Sequence, residues 1–412
     1  MNDARQERGL ALSKDKRILR IGASKWAVPS QTQGASGYVV DEATNSCTCP
    51  DHETRAVKCK HIFAVEFVQR ETVVETVTRE DGSSAVRETT REVRVKYTQN
   101  WPAYNAAQTT EKEHVGALLR ALCEGIVTPP QRRGRPRLPL ADLTHSAAMK
   151  VYSGMSGRRA TTDIRACAEK GLIDEAPHYN SVHNFIERAD VTELLKTLVE
   201  ESAAPLKAVE SQFAVDSTGF ATSVYARWFD HKYGREMTEQ RWIKCHAMVG
   251  ACTNVITTVE VTESNGADSP ELPGLVANTA KRFNVGEVSA DKAYVGHANF
   301  AAIEAVGAVP YIPFKSNNQG DGPAAWRRAW HTFSLRRDEF LRHYHARSNV
   351  ETTFSSVKRL FGGAVRAKLP VAQKNEVLLK CLVFNASCLV HAMYELGIEP
   401  AFPGVAGLTV AS

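Results

Sequence analysis

Apolar positions along this chain keep two different periods, and the switches between them mark out its elements. "KWAV" (25–28) and "GYVV" (37–40) read as short strands, while Ile62, Phe63, Val65, Phe67 and Val68 keep helical spacing. From Glu71 to Tyr97, Val and Thr alternate with charges around "EDGSS", which predicts a long β-hairpin. A helix is expected from about Thr109, with Val115, Leu118, Leu119 and Leu122 as its inner stripe and Gly125 near its end. Three more helices follow, over 140–153, 157–169 and 179–189. Further on, "SQFAVD" and "GEVSAD" are apolar strands that close at Asp216 and Asp291, the first followed by a Ser-Thr-Gly turn. Strands near "WIKCHAMVGA" and "VITTVEVT" and a helix around 272–282 fill the interval between them. A helix near Asn299 and a strand at "VPYIPF" come next. This is an α/β layout with a mixed sheet. The most apolar run, from Glu376, contains a lysine and an asparagine and is expected to be a core helix rather than a membrane span.

Composition adds scale and charge. With 412 residues, 43% of them apolar, the chain can bury a substantial core in more than one domain. The net charge of +5 is modest, but residues 127–165 hold eight Lys/Arg against two Asp, which favours a polyanionic partner. Within that stretch "PPQRRGRPRLP" carries Arg132, Arg133, Arg135 and Arg137 in a proline-flanked, extended segment. It can lie in a narrow minor groove or be a solvated linker. The helices after it, with Arg158, Arg159 and Arg165 on the second, can form a helix-turn-helix reader or a bundle packed for stability. "MNDARQERGLALSKDKR" has no apolar leader, and six of nine cysteines are scattered. Both features predict a reducing cytoplasm.

The other three cysteines carry chemistry. "CTCPDHETRAVKCKH" places Cys47, Cys49, Cys59 and His61 as two pairs, each separated by one residue, so both members of a pair face one side of extended backbone. Two such pairs can close a tetrahedron around Zn²⁺. Asp51 and His52 are rival ligands that the paired spacing disfavours. The flanks suggest a small ββα unit. Over roughly Trp26 to Gln69 the segment resembles the SWIM zinc finger, whose pattern is C-x-C, a variable gap, then C-x-H. That resemblance implies structural zinc and a role in binding DNA or protein.

"YHARSNVETTFSSVK" (344–358) raises a second chemistry. On one helix Tyr344, Arg347, Glu351 and Lys358 would fall at about 0°, −60°, −20° and −40°, sharing one ridge. "SNVE" also reads as a capping box with Ser348 as N-cap. A helix starting there would leave Tyr344 and Arg347 in the preceding turn. In "GADSPEL", Ser269 and Pro270 suggest that Asp268 has a capping role. His246, His297 and His345 are expected to be ordinary polar residues.

Taken with "DSTG" and "ADKAY", the stretch resembles the DDE transposases of bacterial insertion sequences, in the group carrying Y-x2-R-x3-E-x6-K. "WIKCHA", "GADSP" and the C-terminal "NEVLLKCLVFNASCLVHAMYELG" also resemble family segments, so the likeness covers about 101–397. It implies an RNase H-like catalytic domain with Asp216, Asp291 and Glu351 as ligands of Mg²⁺ or Mn²⁺, two ions about 4 Å apart. It also implies that Tyr344, Arg347 and Lys358 meet DNA near the cleaved end. The expected domains are a tail (1–25), the zinc finger (26–69), a hairpin connector (70–100), a helical basic DNA-binding region (101–205), the catalytic domain (206–397) and a second tail (398–412). The implied function is hydrolysis at a transposon end and joining of the 3′-hydroxyl to target DNA. Partners would be terminal inverted repeats and target DNA, with a homodimer on synapsed ends, no membrane, and a nucleoid-associated location in a prokaryote. The alternatives are a catalytically silent, transposon-derived DNA-binding protein and an RNase H-like nuclease on other substrates.

Overall fold

The chain packs as two units, 1–108 with 391–399 and 109–390 with 400–412. The computed structural model describes residues 4–15, 18–21, 24–31, 37–78, 84–92, 100–131, 134, 136–222 and 242–410, with backbone alone over 70–78 and 84–92.

In the first unit β1 (Leu19–Arg20), β2 (Lys25–Val28), β3 (Tyr38–Asp41) and β4 (Ser46–Cys47) form an antiparallel sheet in chain order. Two helices, α2 (Pro50–Arg55) and α3 (Lys60–Gln69), follow. Trp26, Val28, Val40, Ile62 and Val65 close a small core around Cys47, Cys49 and Cys59. The segment expected to be a tail holds a helix, α1 (Ala4–Ser13), that buries Leu12 in this core. A Cβ on its Gly9 would lie 2.5 Å from Phe63 Cβ, so only glycine lets α1 approach α3 this closely. The predicted hairpin is present as β5 (Arg70–Thr78) and β6 (Ser84–Glu92).

Helix α4 (Trp101–Cys123) starts eight residues ahead of expectation. In the second unit α5 (Leu140–Tyr152), α6 (Gly157–Glu169) and α7 (Tyr179–Ile186) pack on one another, and α5 is buried along most of its length. Arg158, Arg159 and Arg165 stay exposed on α6. Helix α8 (Val191–Ala203) leads to a five-stranded sheet: β7 (Gln212–Ala221), β8 (Trp242–Gly250), β9 (Ile256–Glu263), β10 (Glu287–Ala290) and β11 (Val309–Tyr311). Its order is β11-β10-β7-β8-β9, with β7, β10 and β11 parallel and β8 and β9 antiparallel. This mixed sheet flanked by helices fits an RNase H-like domain.

Two details of connectivity position the site. β7 does not stop at Asp216, because Ser217, Thr218 and Gly219 pair with His246, Cys245 and Lys244 of β8 instead of turning. Helix α9 (Leu272–Ala280) stands before β10 where a helix is expected, and the interval after Asp291, expected to hold one helix and one strand, holds α10 (His297–Ala305), β11, α11 (Ala324–Leu335) and α12 (Arg337–Tyr344). Helix α13 (Ser348–Phe361) follows at once and packs on β7 and β8 through Val350, Thr353, Phe354 and Val357.

Helix α14 (Pro370–Leu396) is long and apolar enough to cross a membrane by composition, yet most of that stretch is buried inside the protein. Polar anchors inside it are fully used. Asn385 accepts from Ile256 N (2.9 Å) and donates to Ile256 O, Val199 O and Ser202 Oγ. Lys380 donates to Gly362 O and Ala364 O at 2.7 and 2.8 Å. The segment after α14, expected to be a tail, returns to the fold where Val127 N donates to Leu408 O.

Candidate active site and metal centre

The parallel pairing of β7 and β10 sets up the site. Val215 and Ala290 are register partners, and β10 ends there while β7 runs on. Asp216 and Asp291 are thus the next residues on strands about 4.8 Å apart. Each carboxylate is held by local backbone: Ser217 N donates to Asp216 Oδ1 at 2.8 Å, and Ala293 N donates to Asp291 Oδ1 as an N-cap bond. Glu351, in the first turn of α13, reaches the same place. Arg347 shows this directly, donating through Nη1 to Asp216 Oδ2 (3.1 Å) and through Nη2 to Glu351 Oε1 (2.5 Å). The two carboxylates therefore stand within one guanidinium's span of each other.

Electrostatics agree with convergence. Burial pushes the Asp216 carboxyl above its usual range, and the charges of Asp291 and Glu351 add to this against Ser217 N–H and Arg347. Like charges this close disfavour ionisation unless a cation joins them. The Arg347 guanidinium supplies such a cation between Asp216 and Glu351, so the position suits positive charge. Oxygen-only ligands fit Mg²⁺ or Mn²⁺.

The four-residue ridge is only partly one helix. Tyr344 ends α12, His345–Arg347 form a 3₁₀ turn, and α13 begins at Ser348. Ser348 is the first helical residue and not the N-cap; its hydroxyl donates to His345 O at 2.9 Å. Tyr344 stacks on Phe340, and the Arg347 guanidinium lies over the Tyr344 ring. Lys358 turns to the sheet, donating to Thr218 Oγ1 at 2.6 Å, and burial lowers its pKa.

The opposite face of β7 carries groups whose role the sequence did not disclose. Asp268 makes no capping bond; it pairs instead with Lys244 (2.8 Å) and lies 3.4 Å from His246 Nδ1. Burial opposes its ionisation, but Lys244 and Ser217 outweigh this and hold its pKa low. His246 is fully buried, burial lowers its pKa against the pull of Asp268, and it shares a 2.8 Å bond between Nε2 and Thr262 Oγ1. The capping expectation failed because a lysine 24 residues upstream, invisible to local pattern, claims the carboxylate.

A second cluster lies in the first unit. The ligand atoms of Cys47, Cys49, Cys59 and His61 all fall within 4.8 Å of one another, and all four residues are buried. His61 Nδ1 is 3.8 Å from Cys47 Sγ and 3.7 Å from Cys59 Sγ. Bonds of about 2.3 Å to sulfur and 2.0 Å to nitrogen in a tetrahedron give ligand separations of about 3.5–3.8 Å. The hydrogen bond from Cys47 holds the Cys59 thiol well below its usual range, with burial opposing and His61 assisting. The residues thus fit a closed thiolate–imidazole metal site. The rivals are engaged elsewhere: Asp51 with Arg5 and Arg55, His52 with Val57 O.

Arg137 is exposed on the chain leading to α5. Arg132, Arg133 and Arg135 lie outside the described residues.

Residues 207–386 match the family described as the Transposase DDE domain. The match starts just before β7 and ends within α14, so it encloses Asp216, Asp291 and Glu351 and leaves the thiol cluster outside. It supports a DDE transposase, an enzyme of the nuclease and transferase kind with DNA as its substrate.

Proposed function

We propose that this protein is an active transposase that binds terminal inverted repeats, hydrolyses the phosphodiester bond at each end and joins the 3′-hydroxyl to target DNA. One observation carries the proposal: Arg347 bonds Asp216 and Glu351 together at the point where Asp291 leaves the neighbouring strand. When bound, a pair of divalent ions supplies an activated attacking oxygen and a stabilised leaving oxygen.

The chain's own residues do the positioning. Asp216, Asp291 and Glu351 offer three negative charges from a strand, a strand end and a helix packed on both strands' sheet. Ser217 and Ala293 N–H groups each fix one carboxylate, which limits rotation at the reacting centre. Tyr344 and Arg347 meet phosphate beside the cleaved end. Lys358 meets a phosphate farther along the strand, after leaving Thr218. In this reading the Y-x2-R-x3-E-x6-K group membership holds, and Cys47, Cys49, Cys59 and His61 bind structural zinc in a SWIM-type finger. Arg137 and its neighbouring arginines track the duplex, and two copies of the chain synapse two ends at the nucleoid.

Incubation with the flanking inverted repeats and Mg²⁺ tests this, with Asp291→Ala as control. Nicked ends and joined products are expected from the wild type alone. Binding without cleavage would identify a silent DNA-binding protein, and sequence-indifferent cutting a nuclease on other substrates.

A further inference from the structure

We infer that Arg347 is a positioning residue that occupies the cation's place between Asp216 and Glu351 and is exchanged for metal when DNA arrives. The inference rests on the proposed function.

The geometry sets up the exchange. Arg347 reaches Asp216 Oδ2 and Glu351 Oε1, neither of which accepts from a backbone donor among the described residues, whereas Asp216 Oδ1 is already bound by Ser217 N. A metal held between Asp216 and Glu351 would draw on the same carboxylates, so guanidinium and metal would compete for them. Two cations cannot share them without repulsion at short range. The side chain, 22% exposed, is held by these two acids and the Tyr344 ring rather than by a core. It stands on a 3₁₀ turn ahead of α13, and Glu351 is 56% exposed at its side chain. A phosphate is the natural acceptor for the released fork, since guanidinium binds carboxylate and phosphate with the same two-pronged geometry.

The arrangement has a second effect. Without metal, the paired carboxylates would repel one another, and Arg347 keeps them converged until exchange. DNA that draws Arg347 away uncovers two carboxylates already in place. Metal uptake and DNA binding are thereby linked, and linkage is reciprocal.

Direct measurement of Mn²⁺ binding, by titration of the full chain with free-ion detection, tests the exchange without reference to cleavage. In the absence of DNA, Arg347→Gln is expected to bind Mn²⁺ at least about fivefold more tightly than the wild type, the lower end of ordinary coupling between sites. Arg347→Lys, which keeps a cation, is expected to stay closer to the wild type. Adding a duplex of the flanking inverted repeat should raise Mn²⁺ affinity more in the wild type than in Arg347→Gln. Equal or weaker Mn²⁺ binding by a folded Arg347→Gln would overturn the inference, because a merely supporting arginine gives that sign. If Arg347→Gln does not fold, the wild type suffices: the duplex must raise Mn²⁺ affinity, and Mn²⁺ duplex affinity, by one common factor. Absence of that coupling also overturns it. Mn²⁺ uptake unaffected by Asp216→Asn would instead remove the metal centre itself, and the proposed function with it.

Discussion

The thiol cluster and the carboxylate cluster solve the same problem in opposite ways. Cys47, Cys49, Cys59 and His61 are buried, mutually close and backed by the core of their unit. Asp216, Asp291 and Glu351 come from three separate elements and are partly open to solvent, and Arg347 spans two of them, Asp216 and Glu351. A closed set of soft ligands suits a metal that holds a fold. An open set of hard ligands with a removable counter-charge suits one that takes part in chemistry. The contrast teaches that exposure and ligand type tell the two clusters apart more sharply than charge does.

Cys59→Ser should separate the two sites most forcefully. Structural zinc is worth about 10 kcal/mol or more of folding in small modules, so this variant is expected to lose bound zinc and leave the first unit open to protease. Metal analysis with limited proteolysis checks it; full zinc and unchanged resistance would contradict the closed site. Asp291→Asn probes the open one. The amide keeps an oxygen for the bond from Ala293 N, so the fold should persist, while cleavage falls about a thousandfold, or about 4 kcal/mol. Mg²⁺ is expected to raise the melting temperature of the wild type and not of this variant, measured by calorimetry.

Asn385→Ala asks whether the catalytic unit depends on α14 as a core helix. Leaving Ile256 N and O, Val199 O and Ser202 Oγ without their partner should cost about 2–4 kcal/mol in urea unfolding, with zinc content unchanged. The smallest effect concerns His343, stacked on Tyr311 and bonded to Glu287 at 2.9 Å. The Glu287 bond raises its pKa, against burial. A raised histidine contributes stability that is complete below its unfolded pKa and lost as pH rises through the folded one. Wild type should therefore lose about 1 kcal/mol or less from mildly acidic to mildly alkaline pH. His343→Gln should flatten that part of the profile.

Spacing made much of this legible. The Cys/His pairs, the limits of α6 and the two strands of the hairpin follow from local pattern, and the three acids from motifs. What escaped was set by distant partners. "STG" reads as a turn by composition, yet β8 supplies ladder bonds that keep it extended, an instance of tertiary context overriding propensity. Helix α1, with its charged "ARQER" start, has too few apolar residues to declare itself; its place is fixed by Gly9 meeting α3. Asp268 has a local environment typical of a cap, and only the fold brings Lys244 to it. Arg347 reads as a contact for DNA by resemblance, but nothing in the letters says that its fork spans two of the three acids.

The overrun of β7 past the end of β10 has an evolutionary corollary. Asp216 and Ser217 point to opposite faces of one continuous ladder, the first toward Arg347 and the second toward Asp268. A single-residue insertion or deletion within 212–216 that shifted the register would turn Asp216 to the opposite face and put Val215 or Ser217 where the acid should stand. Lineages of this gene should therefore tolerate almost no change in the length of β7, even where single positions along it accept a substitution of similar size and polarity.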